Sequence, residues 1–321
     1  MTEGSSILRG ALLALLAFGV YATHDVIIKA LGGSYSPVQI VFFSVLFGFP
    51  LVTIILARDT SEANLVPKYP VWALLRTLAV VVTGLTAFYA FTVLPLAQTY
   101  AILFAAPLLI TIFAIPMLGE KVGIRRGLAV LVGLVGVMVV LRPGSEPLTL
   151  GHAAALLSAF TGAFAAVVMR KVGREERTVV LILYPMLGNF AIMGAALPFV
   201  YEPMPLIDMV GLAVIAVLSL IGMHFLILAY RAAPAVIVAP MQYSQILWAT
   251  AYGVILFDEN VDLNTAIGAG IIIASGVYIV LREARLGVSL TTPVLRTRSR
   301  LGTPVAPRVS TMMRDAPDPA E

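Results

Sequence analysis

The sequence predicts an all-α polytopic membrane protein, with ten transmembrane helices arranged as two inverted five-helix repeats. Ten apolar stretches fill the chain from Ile7 to Leu281, and about 20 mostly apolar helical residues cross a bilayer core roughly 30 Å thick. The chain is 60% hydrophobic, with mean hydropathy +0.99, whereas a soluble domain is about half apolar. Basic residues gather at helix ends on one side of the membrane, as the positive-inside rule requires.

The first span, 7–31, is too long for the apolar region of a signal peptide, lacks a small-residue cleavage site and carries charges near its far end, so it is predicted as a retained helix. The next spans are placed at 37–57, 71–93, 97–118 and 123–141. The second set occupies 150–171, 178–199, 208–231, 235–256 and 263–281. The fifth and tenth are rich in small residues: Gly127, Gly133 and Gly136, then Gly268, Gly270 and Gly276. In lipid these permit close backbone approach, so both are predicted as peripheral packing helices that also allow a homodimer. Residues 283–321, rich in Arg, Thr, Ser and Pro without an apolar period, are predicted to be a disordered basic cytoplasmic tail.

Composition narrows the function classes. Ten helices and short connections leave no room for a soluble catalytic domain, and no Walker-type phosphate loop occurs. No cysteine is present, which removes disulfides, thiol chemistry and thioether haem attachment. The three histidines, His24, His152 and His224, lie far apart in the chain, so no metal is expected, no cofactor is implied, and the chain does not read as an enzyme.

The net charge of +4 comes from its distribution rather than from a nucleic-acid surface. With the N-terminus inside, inner segments hold Arg9, Arg58, Lys68, Arg76, Lys121, Arg125, Arg126, Arg170, Lys171, Arg174, Arg177 and Arg231, a total of 12, against 2 outside, Lys29 and Arg142. That bias places both termini in the cytoplasm.

The second half of the chain repeats the pattern of the first. Ala90-Phe91 followed by Pro95 parallels Ala229-Tyr230 followed by Pro234. Glu120 parallels Glu259, Lys29 parallels Lys171, and Gly136-Val137 parallels Gly276-Val277. The predicted repeats are residues 1–145 and 146–282. Five helices is an odd number, so the second repeat enters the membrane with opposite polarity, and such repeats place a substrate site near the midplane between them.

With Pro116-Met-Leu-Gly119-Glu120 and Leu256-Phe-Asp258-Glu259 closing the fourth and ninth spans, the chain resembles the ten-helix EamA-type group of the drug/metabolite transporter superfamily over about residues 7–282. The stretches Asp25-Val-Ile-Ile-Lys29 and Tyr35-Ser-Pro37-Val-Gln39-Ile-Val-Phe-Phe are similar to the subgroup related to S-adenosylmethionine carriers, which usually has Arg where this chain has Ser44. The resemblance implies a secondary carrier with a central cavity in the bacterial inner membrane.

Ionisable groups inside a membrane are costly and face a cavity or one another. His24, Asp25 and Lys29 are therefore the candidates for a gate or a coupling site. Asp25 and Lys29 are four residues apart, the spacing of an intrahelical ion pair. Gln242, Tyr243, Gln245, Trp248 and Tyr252 form the densest uncharged polar cluster, just after Pro240, and are the first substrate-binding candidates. Tyr100 and Phe104 of the fourth span and Tyr89 of the third complete that set. Aromatic walls with few fixed charges suit a small organic metabolite more than an inorganic ion. The candidates are a riboflavin- or nucleoside-like heteroaromatic, S-adenosylmethionine, or an amino acid. A passive channel or facilitator, and a broad-specificity exporter, are the alternative readings.

Overall fold

The structure, a computed structural model, describes residues 3–56, 66–119, 123–142, 148–173, 175–176, 178–233, 235–260 and 262–285. Glu120, the loop residues Arg58, Lys121, Arg174 and Arg177, and the tail beyond Arg285 lie outside the described residues. The described part is all helical: α1 (Glu3–Gly32), α2 (Pro37–Leu56), α3 (Pro70–Val93), α4 (Leu96–Leu103), α5 (Ala106–Leu118) and α6 (Ile124–Leu141). Then follow α7 (Leu150–Val172), α8 (Thr178–Ala196), α9 (Leu206–Ala232), α10 (Ala235–Val238), α11 (Ser244–Phe257) and α12 (Leu263–Arg285). The last helix continues through Arg285, past the predicted start of the tail at residue 283.

Among the described residues six units meet a crossing length: Leu8–Gly32, Pro70–Val93, Leu96–Leu118, Leu150–Val172, Val180–Phe199 and Leu206–Ala232. Pro37–Pro50, Gly127–Leu141 and Leu263–Ile279 are apolar stretches within α2, α6 and α12, and the ninth span is broken. The outward faces carry Leu12, Leu74, Val135, Leu247 and Ile255, all exposed, as a lipid-facing surface requires.

The fourth and ninth spans are both interrupted partway, for a local reason. Pro107 in the first turn of α5 has no N–H to continue α4, and Ala105 closes a tighter bond to the Ile102 carbonyl at 3.0 Å. Pro240 lies inside a 3₁₀ turn, Ala239–Tyr243, between α10 and α11. Both spans also end alike. Gly119 and Asp258, which occupy matching positions in the two repeats, cap α5 and α11 in the left-handed conformation with φ of 68° and 50°.

Packing follows the repeat. α1 lies along α9, and α7, the counterpart of α1, lies along α3, the counterpart of α9. α2 packs on α8, and α6 on α12, each against its own counterpart. Small residues make these approaches possible: the Gly136 and Gly268 backbones meet between α6 and α12, and Gly222 of α9 lies under the Tyr21 ring of α1. The α3–α7 seam adds polar contacts, with Thr83 and Thr161 hydroxyls 2.7 Å apart and Ser158 donating to the Thr83 carbonyl.

Two contacts break the symmetry. At the end of the bundle that carries Lys29, α1 meets α3 and α4 meets α11. At the end that carries Lys171, the counterpart pairs α7 with α9 and α5 with α10 make no comparable packing among the described residues. The bundle is thus drawn together at the Lys29 face and parted at the Lys171 face.

Candidate functional site

The polar centre of the molecule lies where α1, α4 and α11 meet. His24 and Asp25 are buried, each only 1% exposed. The His24 Nδ1 lies 2.7 Å from one carboxylate oxygen of Asp25, and the Tyr100 hydroxyl donates to the other. Tyr100 in turn accepts from the Gln245 amide at 3.3 Å. A continuous chain of hydrogen bonds therefore runs from α1 and α4, in the first repeat, to α11 in the second. A buried carboxylate is stable only with such partners.

Directly beside this chain of hydrogen bonds is a small pocket of about 30 Å³ lined by Phe18, Phe91, Tyr100, Leu103, Phe104, Pro107, Gln242 and Gln245. Its rings stand edge to face: Phe91 and Tyr100 have centroids 5.3 Å apart, and Phe104 meets Tyr243 at 5.0 Å. Phe104 and Tyr243 hold matching positions in the two repeats and occupy the two helix breaks, so the interrupted spans touch across the repeat boundary at the pocket wall. Broken helices at a repeat interface expose backbone where a solute binds.

The structure sorts the sequence candidates. Tyr100, Phe104, Gln242 and Gln245 line the pocket. Tyr243 stands behind Phe104, its hydroxyl directed at Gly276. Tyr252 bonds to Thr23 at 2.9 Å, and Tyr89 packs into the core. Trp248 is 41% exposed and lies over Gly19, away from the pocket. Phe18 and Phe91 escape sequence reasoning, because an apolar ring in an apolar helix gives no signal. Ser44, at the position where the similar subgroup has Arg, is buried with an unpaired hydroxyl.

Lys29 does not form the expected intrahelical pair with Asp25. Its ammonium lies 2.7 Å from Glu259, donates to the Leu94 carbonyl at 2.7 Å and stands over the Phe257 ring. The other Glu259 oxygen accepts from the Leu96 N–H, capping α4. Tyr100 holds Asp25 instead. One lysine thus joins the ends of α1, α3 and α11 above the pocket. Beside it, Asp262 caps α12 through Asn264 and Thr265 and pairs with Arg142. Partial burial raises the Asp262 carboxyl, but these hydrogen bonds and Arg142 outweigh it and hold the group below the usual aspartate range.

These features define an all-helical membrane protein with a small aromatic pocket where its two repeats meet. The chain belongs to the EamA-like transporter family, whose model matches residues 8–142 and again 149–282. It is similar to an uncharacterized transporter of Helicobacter pylori strain J99, 24% identical over 86% of this chain and 96% of the relative. It is also similar to the S-adenosylmethionine uptake transporter of Rickettsia prowazekii strain Madrid E, 25% identical over 87% and 94%. The pseudopaline exporter of Pseudomonas aeruginosa strain UCBPP-PA14 is 26% identical over 83% and 94%. A solved crystal structure covers 89% of this chain and 100% of its own, with a TM-score of 0.58 at 21% identity, a likeness of fold. The chain is a multi-pass membrane transporter of small molecules. One of these relatives is an importer and one an exporter, so the likeness carries no direction.

Proposed function

We propose that the chain is a secondary carrier of the bacterial cytoplasmic membrane, with both termini in the cytoplasm, that moves a small organic metabolite by rocking its two repeats about the pocket. The observation that supports this best is the Asp25–Tyr100–Gln245 chain, which joins the repeats at the wall of an aromatic pocket. A solute that takes over one of these hydrogen bonds changes how the repeats are held, which is what coupling binding to rocking needs. On the 12-to-2 bias of basic residues, the Lys29 face is the outer one.

The buried carboxylate also ranks the candidates. Phe18, Phe91 and Phe104 suit a flat ring, and Asp25 beside them suits a positive charge. S-adenosylmethionine, with a purine and a sulfonium, and amino acids, with an ammonium, fit better than riboflavin.

The test is a thermal-shift screen of purified protein with S-adenosylmethionine, riboflavin, nucleosides and amino acids, followed by liposome uptake at two pH values. A ligand that binds only the folded state stabilises it by about 2.7 kcal/mol at a hundred times its Kd. The expected result is saturable stabilisation by a cationic solute, lost in Asp25→Asn, with uptake abolished in Gln245→Leu at unchanged protein level. Full uptake by Gln245→Leu would remove the pocket from the transport path. Non-saturating flux without counterflow would favour a passive facilitator.

A further inference from the structure

Away from the pocket, each face of the bundle carries one contact that the asymmetry leaves untouched. At the Lys29 face the Tyr35 hydroxyl, between α1 and α2, donates to Asp208 in the first turn of α9 at 2.5 Å. At the Lys171 face the Tyr69 hydroxyl, just before α3, donates to Glu175, between α7 and α8, at 2.6 Å. The offset that pairs Ala90 with Ala229 sets Tyr69 against Asp208, and the offset that pairs Lys29 with Lys171 brings Tyr35 to within two residues of Glu175. The two contacts therefore occupy corresponding places, with phenol and carboxylate exchanged between the repeats.

Each is reinforced by a second bond. The Gln39 amide exchanges two hydrogen bonds with the Glu202 backbone, at 2.7 and 2.9 Å. On the opposite face Glu176 accepts from the Tyr69 N–H at 3.0 Å and Lys68 pairs with Glu175 at 2.9 Å.

A contact that opens and closes during rocking must differ between a closed face and a parted one. Lys29 does differ: it holds Glu259 at the closed face, whereas among the described residues its counterpart Lys171 reaches the Met117 carbonyl and the Trp72 ring at the parted face. The tyrosine–carboxylate contacts do not differ; both are made in one and the same state. We infer that Tyr35–Asp208 and Tyr69–Glu175 are staples that stay closed through the cycle and define the two moving bodies, α1–α2–α9 and α3–α7–α8, so that what rocks is not each repeat by itself but a set of helices drawn from both. Each staple ties helices that already pack together: α1 and α2 on α9, and α7 and α8 on α3. The inference rests on the rocking reading above, and it makes these four residues positioning residues, remote from the solute.

The chain has no cysteine, so introduced pairs are the only thiols. Three double variants are made: Tyr35→Cys with Asp208→Cys, Tyr69→Cys with Glu175→Cys, and Lys29→Cys with Glu259→Cys. Each is joined by a short bifunctional thiosulfonate, and amide hydrogen exchange is followed by mass spectrometry over 94–97 and 241–245, with no solute present. Both staple cross-links are expected to leave exchange in these segments unchanged, and the Lys29–Glu259 cross-link to slow it at least tenfold, reversibly with reductant. Slowing of that size by either staple cross-link overturns the inference, because the staple then opens in the cycle. If none of the three slows exchange, the Lys29 face does not open, and the rocking reading falls together with the staples.

Discussion

The two faces of this bundle are built from equivalent residues and held differently. At one, Lys29 meets a carboxylate, a helix-end carbonyl and an aromatic ring, and both its side chain and that of Glu259 are nearly buried, 12% and 13% exposed. At the other, the counterpart Lys171 is exposed and, among the described residues, makes one carbonyl bond beside Trp72. The first arrangement accompanies contact between α1 and α3; the second accompanies separation of α7 from α9. Under the proposed rocking, the gates are the contacts present in one copy and, among the described residues, missing from the other. A molecule with two identical ends would give its solute either two doors or none.

The comparison is broken most directly at the lysines. Removing one partner of a fully buried ion pair costs about 3–5 kcal/mol, because the other charge is stranded. Lys29 and Glu259 keep some exposure, so Lys29→Met is expected to cost about 2 kcal/mol. Lys171→Met loses a cation–π contact and one hydrogen bond at an exposed site and should cost about 1 kcal/mol or less. Thermal unfolding of both variants in detergent reads the difference. Equal losses would mean that the Lys29 face is no more tightly held than the other.

A smaller effect sharpens it. Asp262 caps α12 at the Lys29 face, and the matching position in the first repeat is Gly123, which begins α6 with no side-chain cap. Gly123 has an extended backbone, φ −67° and ψ 154°, and open space around it, which suits an N-cap side chain. Asp262→Ala is expected to cost about 1 kcal/mol, and Gly123→Asp to add only about 0.3 kcal/mol. Thermal midpoints in detergent check both signs. Loss of stability in Gly123→Asp would show that the missing cap is not what distinguishes these helices.

Much of this is legible in the sequence because lipid imposes a simple demand. A crossing helix must be apolar along its length, so the span predicted at 37–57 is found as Pro37–Leu56, and that at 150–171 as Leu150–Val172. The same demand makes polar residues conspicuous, which is why Tyr100, Gln242 and Gln245 stand out. Partners are what the sequence conceals. Lys29 has an acid four residues away, yet its charge goes to Glu259 in the other repeat, a choice made by the packing of α1 against α3 and α11. Trp248 reads as part of the polar cluster, but one residue turns a helix by about 100°, enough to move it from the buried side, where Ala249 lies, toward lipid.

The smallest effects come from the staples, and pH separates them. Tyr35 has its ionisation pushed up to about 12, through its hydrogen bond to Asp208, some burial and the negative charge beside it. A group raised in the folded state contributes fully below its unfolded value near 10 and is lost as pH rises toward 12. Glu175 is held below the usual glutamate range by hydrogen bonds from Lys68 and Tyr69 and by the Lys68 charge. Its contribution is present above its unfolded value near 4.5 and is lost as pH falls through the lowered one. Alkali therefore weakens both staples, because the hydrogen bond to Glu175 raises the Tyr69 phenol as well, whereas acid weakens the Lys171-face staple, and the neutral range leaves both intact. In melting curves against pH, Tyr35→Phe should flatten the alkaline limb alone and Glu175→Gln both limbs. Because Lys68 and Glu175 are both more than half exposed, salt should shrink the second effect by screening. A wild-type molecule whose stability already changes between about pH 6 and 8 would place the sensitive group outside the staples.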